Sequence, residues 1–206
     1  MTTTPSQPLD RWTARLRAIV GPEPPSGVVA GEFADESGHR RAVDAPLIAW
    51  LTENTTRPTK GQGLDVDLWH ALANDSDLAA TFSPDGPLQD ADAPGRGEVA
   101  IEVWTERELS AIQALWTIGV QRDEPRLVQR AEAAAAWCVQ ELQPDNATAH
   151  PWGVNAFASL AASGDIEADL YAQALVHNAQ VATGRVGRFA KLVLLASLRS
   201  LEVAEN

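Results

Sequence analysis

Cysteine is nearly absent from the chain: Cys138 stands alone, so no disulfide can close within it. Lysine is almost as scarce, at Lys60 and Lys191, and arginine carries the rest of the positive charge. The 16 Lys and Arg face 28 Asp and Glu, for a net charge of −12. Phosphate backbones and anionic lipid surfaces are held by clustered Lys and Arg. Nucleic acid and membrane are therefore excluded as expected partners. No run approaches the ~20 apolar residues of a membrane span. The opening "MTTTPSQPLDRW" has no apolar stretch of the kind a secretory leader needs. A cytoplasmic protein is the expectation.

Chemical signatures are missing as well. There is no H-E-x-x-H, no paired cysteine and no H-x-H, so no metal is expected. There is no P-loop, no G-x-G-x-x-G and no G-x-S-x-G, so no cofactor and no nucleophilic elbow are expected. Cys138 lies on an Ala-rich helix face without a His or Lys one turn away, which reads as an inert buried thiol.

Apolar residues make up 45% of the 206, enough for a real core. They are unevenly arranged. Residues 1–104 hold 10 of the 13 prolines and 9 of the 14 glycines. This part reads as a loop-rich acidic region with short helices, packed on the remainder. Helices are predicted over Leu9–Val20, Pro46–Glu53 and Leu64–Ala73. Residues 83–97 ("SPDGPLQDADAPGRG") read as an exposed loop. Residues 98–104 ("EVAIEVW") alternate apolar and charged, as a short strand or an extended lead-in would.

Residues 105–206 read as a helical-hairpin domain. "TERE" at 105–108 has the form of a capping box, which places Glu106 and Glu108 in a first turn. Further helices are predicted over 126–142, 151–164, 165–183 and 188–203, with Pro125 as a start signal and Gly164 and Gly184 as stops. Their centres fall about 20 residues apart with mostly short connections, the pattern of stacked antiparallel αα-hairpins. The fold class is mainly α, solenoid-like or like an open α/α-toroid. The order helix, turn, helix, "HPW", helix, "VHN", helix over residues 105–203 resembles pieces of the α/α-toroid families, terpenoid-cyclase-like and six-hairpin. That resemblance implies an enzyme or small-ligand pocket. The Asp-rich D-x-D-D and D-D-x-x-D runs of those cyclases and synthases are missing, and the chain holds about half the hairpins of a closed toroid.

Two functions follow. With no catalytic constellation in view, the first is a non-enzymatic interaction or scaffold module whose helical stack binds a protein partner or a second copy. The second is a toroid-type enzyme or ligand-binding fragment. Its pocket would be lined by His150, Trp152, Asn155, His177 and Asn178, because 152/155 and 174/177/178 are single-turn spacings. His70 and His177 otherwise read as structural residues. The acids Asp65, Asp67, Asp75 and Asp77 read as a solvated surface, since their spacing is not that of an EF-hand loop.

Overall fold

A computed structural model describes residues 8–21, 41–57, 63–89, 100–142, 150–181 and 184–205. Eight helices lie among them, with no strand: α1 (Pro8–Val20), α2 (Asp44–Leu51), α3 (Leu64–Ala73), α4 (Ile101–Gln121), α5 (Pro125–Glu141), α6 (Val154–Ala162), α7 (Ile166–Val181) and α8 (Arg188–Ala204). His39 and the long connection over 143–149 lie outside the described residues.

α4 is the axis of the molecule. It packs on α3, α5, α6 and α8, and it is buried without a break from Glu108 to Gly119. Its 21 residues span ~31 Å at 1.5 Å per residue. α2 lies beside α3, α1 lies on α8 and α6, and α7 lies outside on α6 and α5. One apolar cluster draws on every helix, from Trp12 and Trp69 through Leu115 and Phe157 to Phe189 and Leu201. Five of the seven tryptophans are buried. Trp50 and Trp137 are half-buried against the core; Trp137 meets the Trp104 ring edge-on at 6.0 Å.

Local chemistry accounts for most boundaries. The α1 stripe buries Trp12 and Leu16, and Gly21 at φ +78° closes the helix as its N–H bonds the Arg17 carbonyl. Pro125 opens α5. Asp165 caps α7 by accepting the Ala168 N–H at 3.0 Å. Gly119 is set by packing: a Cβ there would lie 2.7 Å from the Val128 backbone nitrogen, so its absence lets α4 and α5 approach closely.

The start of α4 differs from expectation. Residues 101–104 are neither strand nor lead-in but the helix's first turn, and "TERE" lies inside the helix. Burial of Trp104 and Thr105 against the core overrides the capping signal. Glu108 is fully buried and does a different job. Its carboxylate accepts the backbone N–H of Leu88 at 2.6 Å and of Gln89 at 2.9 Å. Arg130 donates to the carbonyls of Gly86 and Pro87 from the same side. Residues 83–85 are exposed as expected, whereas 86–89 are half-buried and tied onto α4 and α5; 90–97 lie outside the described residues. His70, read as a structural residue, is buried.

Candidate functional site

The expected pocket residues are not brought to one place. His177 is exposed and Asn178 is half-buried, both on the outer helix α7. Asn155 is sealed at the junction of α4, α6 and α8, and its bonds are met. Its Nδ2 donates to the Gln113 carbonyl and to Thr117 Oγ1, and its Oδ1 accepts the Ala156 N–H. Gln113 extends the network: its Oε1 accepts the Gly153 N–H, and its Nε2 donates to the Val193 carbonyl. Thr117 bonds Ser200 at 2.8 Å. Asn155 is therefore a structural clamp. The reason is geometric: residues one turn apart on one helix share a face, but nothing in the spacing says which neighbour that face meets.

His150 and Trp152 go elsewhere, and they do meet. The Trp152 N–H bonds the His150 carbonyl in a tight turn, and Gly153 at φ +77° opens α6. The Trp152 ring is wedged between Trp69 and Phe189, with centroids at 6.0 and 5.7 Å. The His150 ring stands edge-on to Phe189 at 4.9 Å. Both residues converge on Glu106. Trp152 Nε1 donates to Glu106 Oε1 at 3.3 Å. His150 Nδ1 lies 2.9 Å from the same oxygen, an ion-pair distance. Arg41 pairs with that oxygen too, from the residues leading into α2.

Glu106 is one wall of a cavity of about 210 Å³ between the start of α2, the start of α3 and α4. The other polar walls are Arg41, Asp65, Arg107 and Ser110; Val43, Val66, Val103 and Trp152 supply the apolar ones. Asp65 is the unusual group. It is the second residue of α3 and only 5% exposed. Its Oδ1 has no hydrogen-bond partner. Burial pushes its carboxyl pKa up from 3.8 to about 6. Backbone hydrogen bonds at Val66, the positive charge of Arg107 and a hydrogen bond to Ser110 pull the other way and do not offset it. Ser110 is itself positioned by Trp69, whose Nε1 donates to its Oγ at 3.1 Å. Gly63 makes room, since a Cβ there would come 2.9 Å from Asp65 Oδ1.

The site thus holds two carboxylates in unlike surroundings. Glu106 Oε1 is surrounded by donors and a guanidinium, and Asp65 is buried with one oxygen that has no hydrogen-bond partner. Such a divergence is the pattern of sites that bind or move protons and cations. The reading of Asp65 as solvated surface is corrected here, while Asp67, Asp75 and Asp77 are exposed as expected. A signal for Asp65 was present: it shares the i, i+3, i+4, i+7 face with Leu68, Trp69 and Leu72, all buried. An acid on the apolar face of a short helix is the anomaly to follow.

Among the described residues no group of three or more His, Cys, Asp or Glu is arranged to hold a metal ion. None of the described helices is long and apolar enough to cross a membrane. Cys138 is buried, and burial raises its thiol pKa well above the ordinary value. No protein-family model matches the chain, and neither a curated protein nor a solved structure matches it.

Proposed function

We propose that the chain binds a small polar molecule in the cavity between α3 and α4, through a cationic or hydrogen-bond-donating group seated on Asp65. The observation that carries this reading is the buried Asp65 carboxyl in the wall of that cavity, whose Oδ1 has no hydrogen-bond partner. An unmet buried acceptor costs roughly 1–3 kcal/mol, more when charged. A ligand donor removes that cost, which makes it a source of affinity. Glu106 and Arg41 neutralise one another, and Arg107 offsets part of the Asp65 charge, so the bare oxygen sets the preference for a donor over an anion. The pocket of the second sequence reading is thereby moved. It keeps His150 and Trp152 behind Glu106 and drops Asn155, His177 and Asn178.

Ethanolammonium is a suitable probe. Titrated into the labelled protein at about pH 8, above the Asp65 titration, it is expected to shift the amide signals of Asp65, Val66 and Ser110. Asp65→Asn is expected to remove those shifts. Binding weakens as pH falls through about 6, because protonation removes the charge. Equal binding by Asp65→Asn, or shifts confined to other regions, contradicts the reading.

The interaction or scaffold role is kept as a second reading, because a specific surface supports it. Ile166, Leu170 and Val181 on α7 are 75%, 59% and 64% exposed. The direct packing of α4 on α5 and of α6 on α7 across short turns supports the hairpin arrangement behind that role. The likeness to an α/α-toroid gains no such support.

A further inference from the structure

The cavity at Asp65 also has positive walls, and they narrow the choice of ligand. Val103, Glu106, Arg107 and Ser110 follow at i, i+3, i+4 and i+7 along α4, so one face of that helix forms one side of the space. Two cations and two acids border it: Arg41, Arg107, Asp65 and Glu106. They are not equally engaged. Arg41 pairs with Glu106, and its guanidinium lies 5.6 Å from the centroid of the Phe189 ring. Glu106 also accepts the Trp152 N–H, so this acid and this cation are occupied with protein partners. The other two are not. Asp65 Oδ1 has no hydrogen-bond partner. Among the described residues no hydrogen bond or ion pair engages the half-buried Arg107 guanidinium, whose charge acts on Asp65 through space. Ser110, which bonds Asp65, lies one turn along α4 from Arg107, so the free cation and the buried acid border the same space.

We propose that the ligand is a small zwitterion of the amino-acid class, with its ammonium on Asp65 and its carboxylate on Arg107. The proposal rests on the reading of this cavity as a site for a donor group, and it names the ligand class. Charge argues for it. With Asp65 ionised, the walls carry two positive and two negative charges and no net charge. A simple cation or anion brings a net charge into that space, where removal from water makes it costly. A zwitterion brings none, and it answers both unengaged groups at once. The guanidinium fork suits a carboxylate, which it holds through two parallel hydrogen bonds.

Size and polarity agree. The cavity of about 210 Å³ is smaller than the roughly 300 Å³ at which sites for drug-sized ligands begin, so the molecule is short. Val43, Val66 and Val103 offer its carbon chain an apolar wall. Val103 is 42% exposed, and a seated ligand covers it.

Three probes test this: L-serine, ethanolammonium, which is L-serine without its carboxylate, and 3-hydroxypropionate, which is L-serine without its ammonium. Each is titrated into the labelled protein at about pH 8, and the amide signals of Asp65 and Arg107 are followed. L-Serine is expected to bind at least about tenfold more tightly than either fragment, the worth of one charge-assisted hydrogen bond. Arg107→Gln is expected to remove the advantage of L-serine over ethanolammonium. It leaves ethanolammonium binding no weaker, because the variant takes a positive charge away from a cation. Arg107→Lys keeps the charge without the fork and retains part of the advantage. L-Serine binding no more tightly than ethanolammonium overturns the zwitterion and leaves the donor reading standing. 3-Hydroxypropionate binding as tightly as L-serine overturns the zwitterion and the donor reading together, and so does a failure of all three to bind. These comparisons are made on the wild-type protein, so they decide the matter even if an Arg107 variant does not fold.

Discussion

Replacing Asp65 by Asn should make the protein more stable at neutral pH. The folded chain holds this carboxyl at a pKa of about 6 against an ordinary value of 3.8. The difference is about 2.2 units, and at 1.36 kcal/mol per unit the ionised form destabilises the fold by about 3 kcal/mol. Asparagine removes the charge and keeps the shape. Its amide brings two donors to a site built for an acceptor, and that offsets roughly 1 kcal/mol of the gain. A net stabilisation of about 2 kcal/mol remains at pH 7. The sign with pH follows from the raised pKa. Between 3.8 and about 6 the folded protein binds more protons than the unfolded one. Wild-type stability contributed by Asp65 is full below the lower value and is lost as pH rises through the upper one. The gap between the Asp65→Asn variant and the wild-type protein therefore opens over this window and is constant above it. Urea melts at a series of pH values measure the gap. Taking the difference between the two proteins also removes the parallel contribution of Glu108, whose carboxyl is likewise raised by burial. A variant no more stable than wild type at pH 7, or a gap that ignores pH across the window, refutes the account of Asp65 as a buried acid with one oxygen left without a partner. Stability given up at one buried side chain is the expected mark of a site kept for binding.

Two further predictions concern the frame that holds the cavity. Gly119→Ala places a methyl 2.7 Å from a backbone nitrogen of α5 and forces α4 and α5 apart. Overpacking of about 1–3 kcal/mol outweighs a helix-propensity gain of about 1 kcal/mol, so the thermal midpoint falls by several degrees rather than rising. Asn155→Ala removes the two hydrogen bonds that Asn155 gives α4, to the Gln113 carbonyl and to Thr117, and at about 1 kcal/mol each it lowers denaturant-derived stability by about 2 kcal/mol. A loss within the ~0.5 kcal/mol of an ordinary surface substitution would mean that Asn155 is not a clamp.

The helix inventory was legible because its signals are local. α3 falls on the predicted residues, and α5 and α8 fall within a residue of prediction, because Pro125, an Ala-rich run and a Leu-rich run act through the chain's own covalent geometry. Composition likewise excluded disulfide chemistry, since one cysteine cannot pair within the chain. α4 was misread at its start because a capping box and the middle of a buried helix use the same residue types, and only the core around Trp104 decides between them.

The site was half legible. Of the residues expected to line a pocket, Trp152 does line the cavity, and His150 reaches it only through a shared contact. Their partner is Glu106 on α4. His177 and Asn178 were assigned to the pocket by single-turn spacing, but α7 has two apolar faces, and periodicity cannot say which of the two the core covers. The sequence by itself determined that this is a helical, acidic, disulfide-free chain, because propensity, charge and cysteine count are properties of residues. Only the tertiary structure decided that Asp65, an acid like its surface neighbours, lies buried with a bare oxygen. Desolvation depends on what packs around a group, and for Asp65 that is α4, which joins α3 through the Trp69–Ser110 bond across 41 positions of the chain.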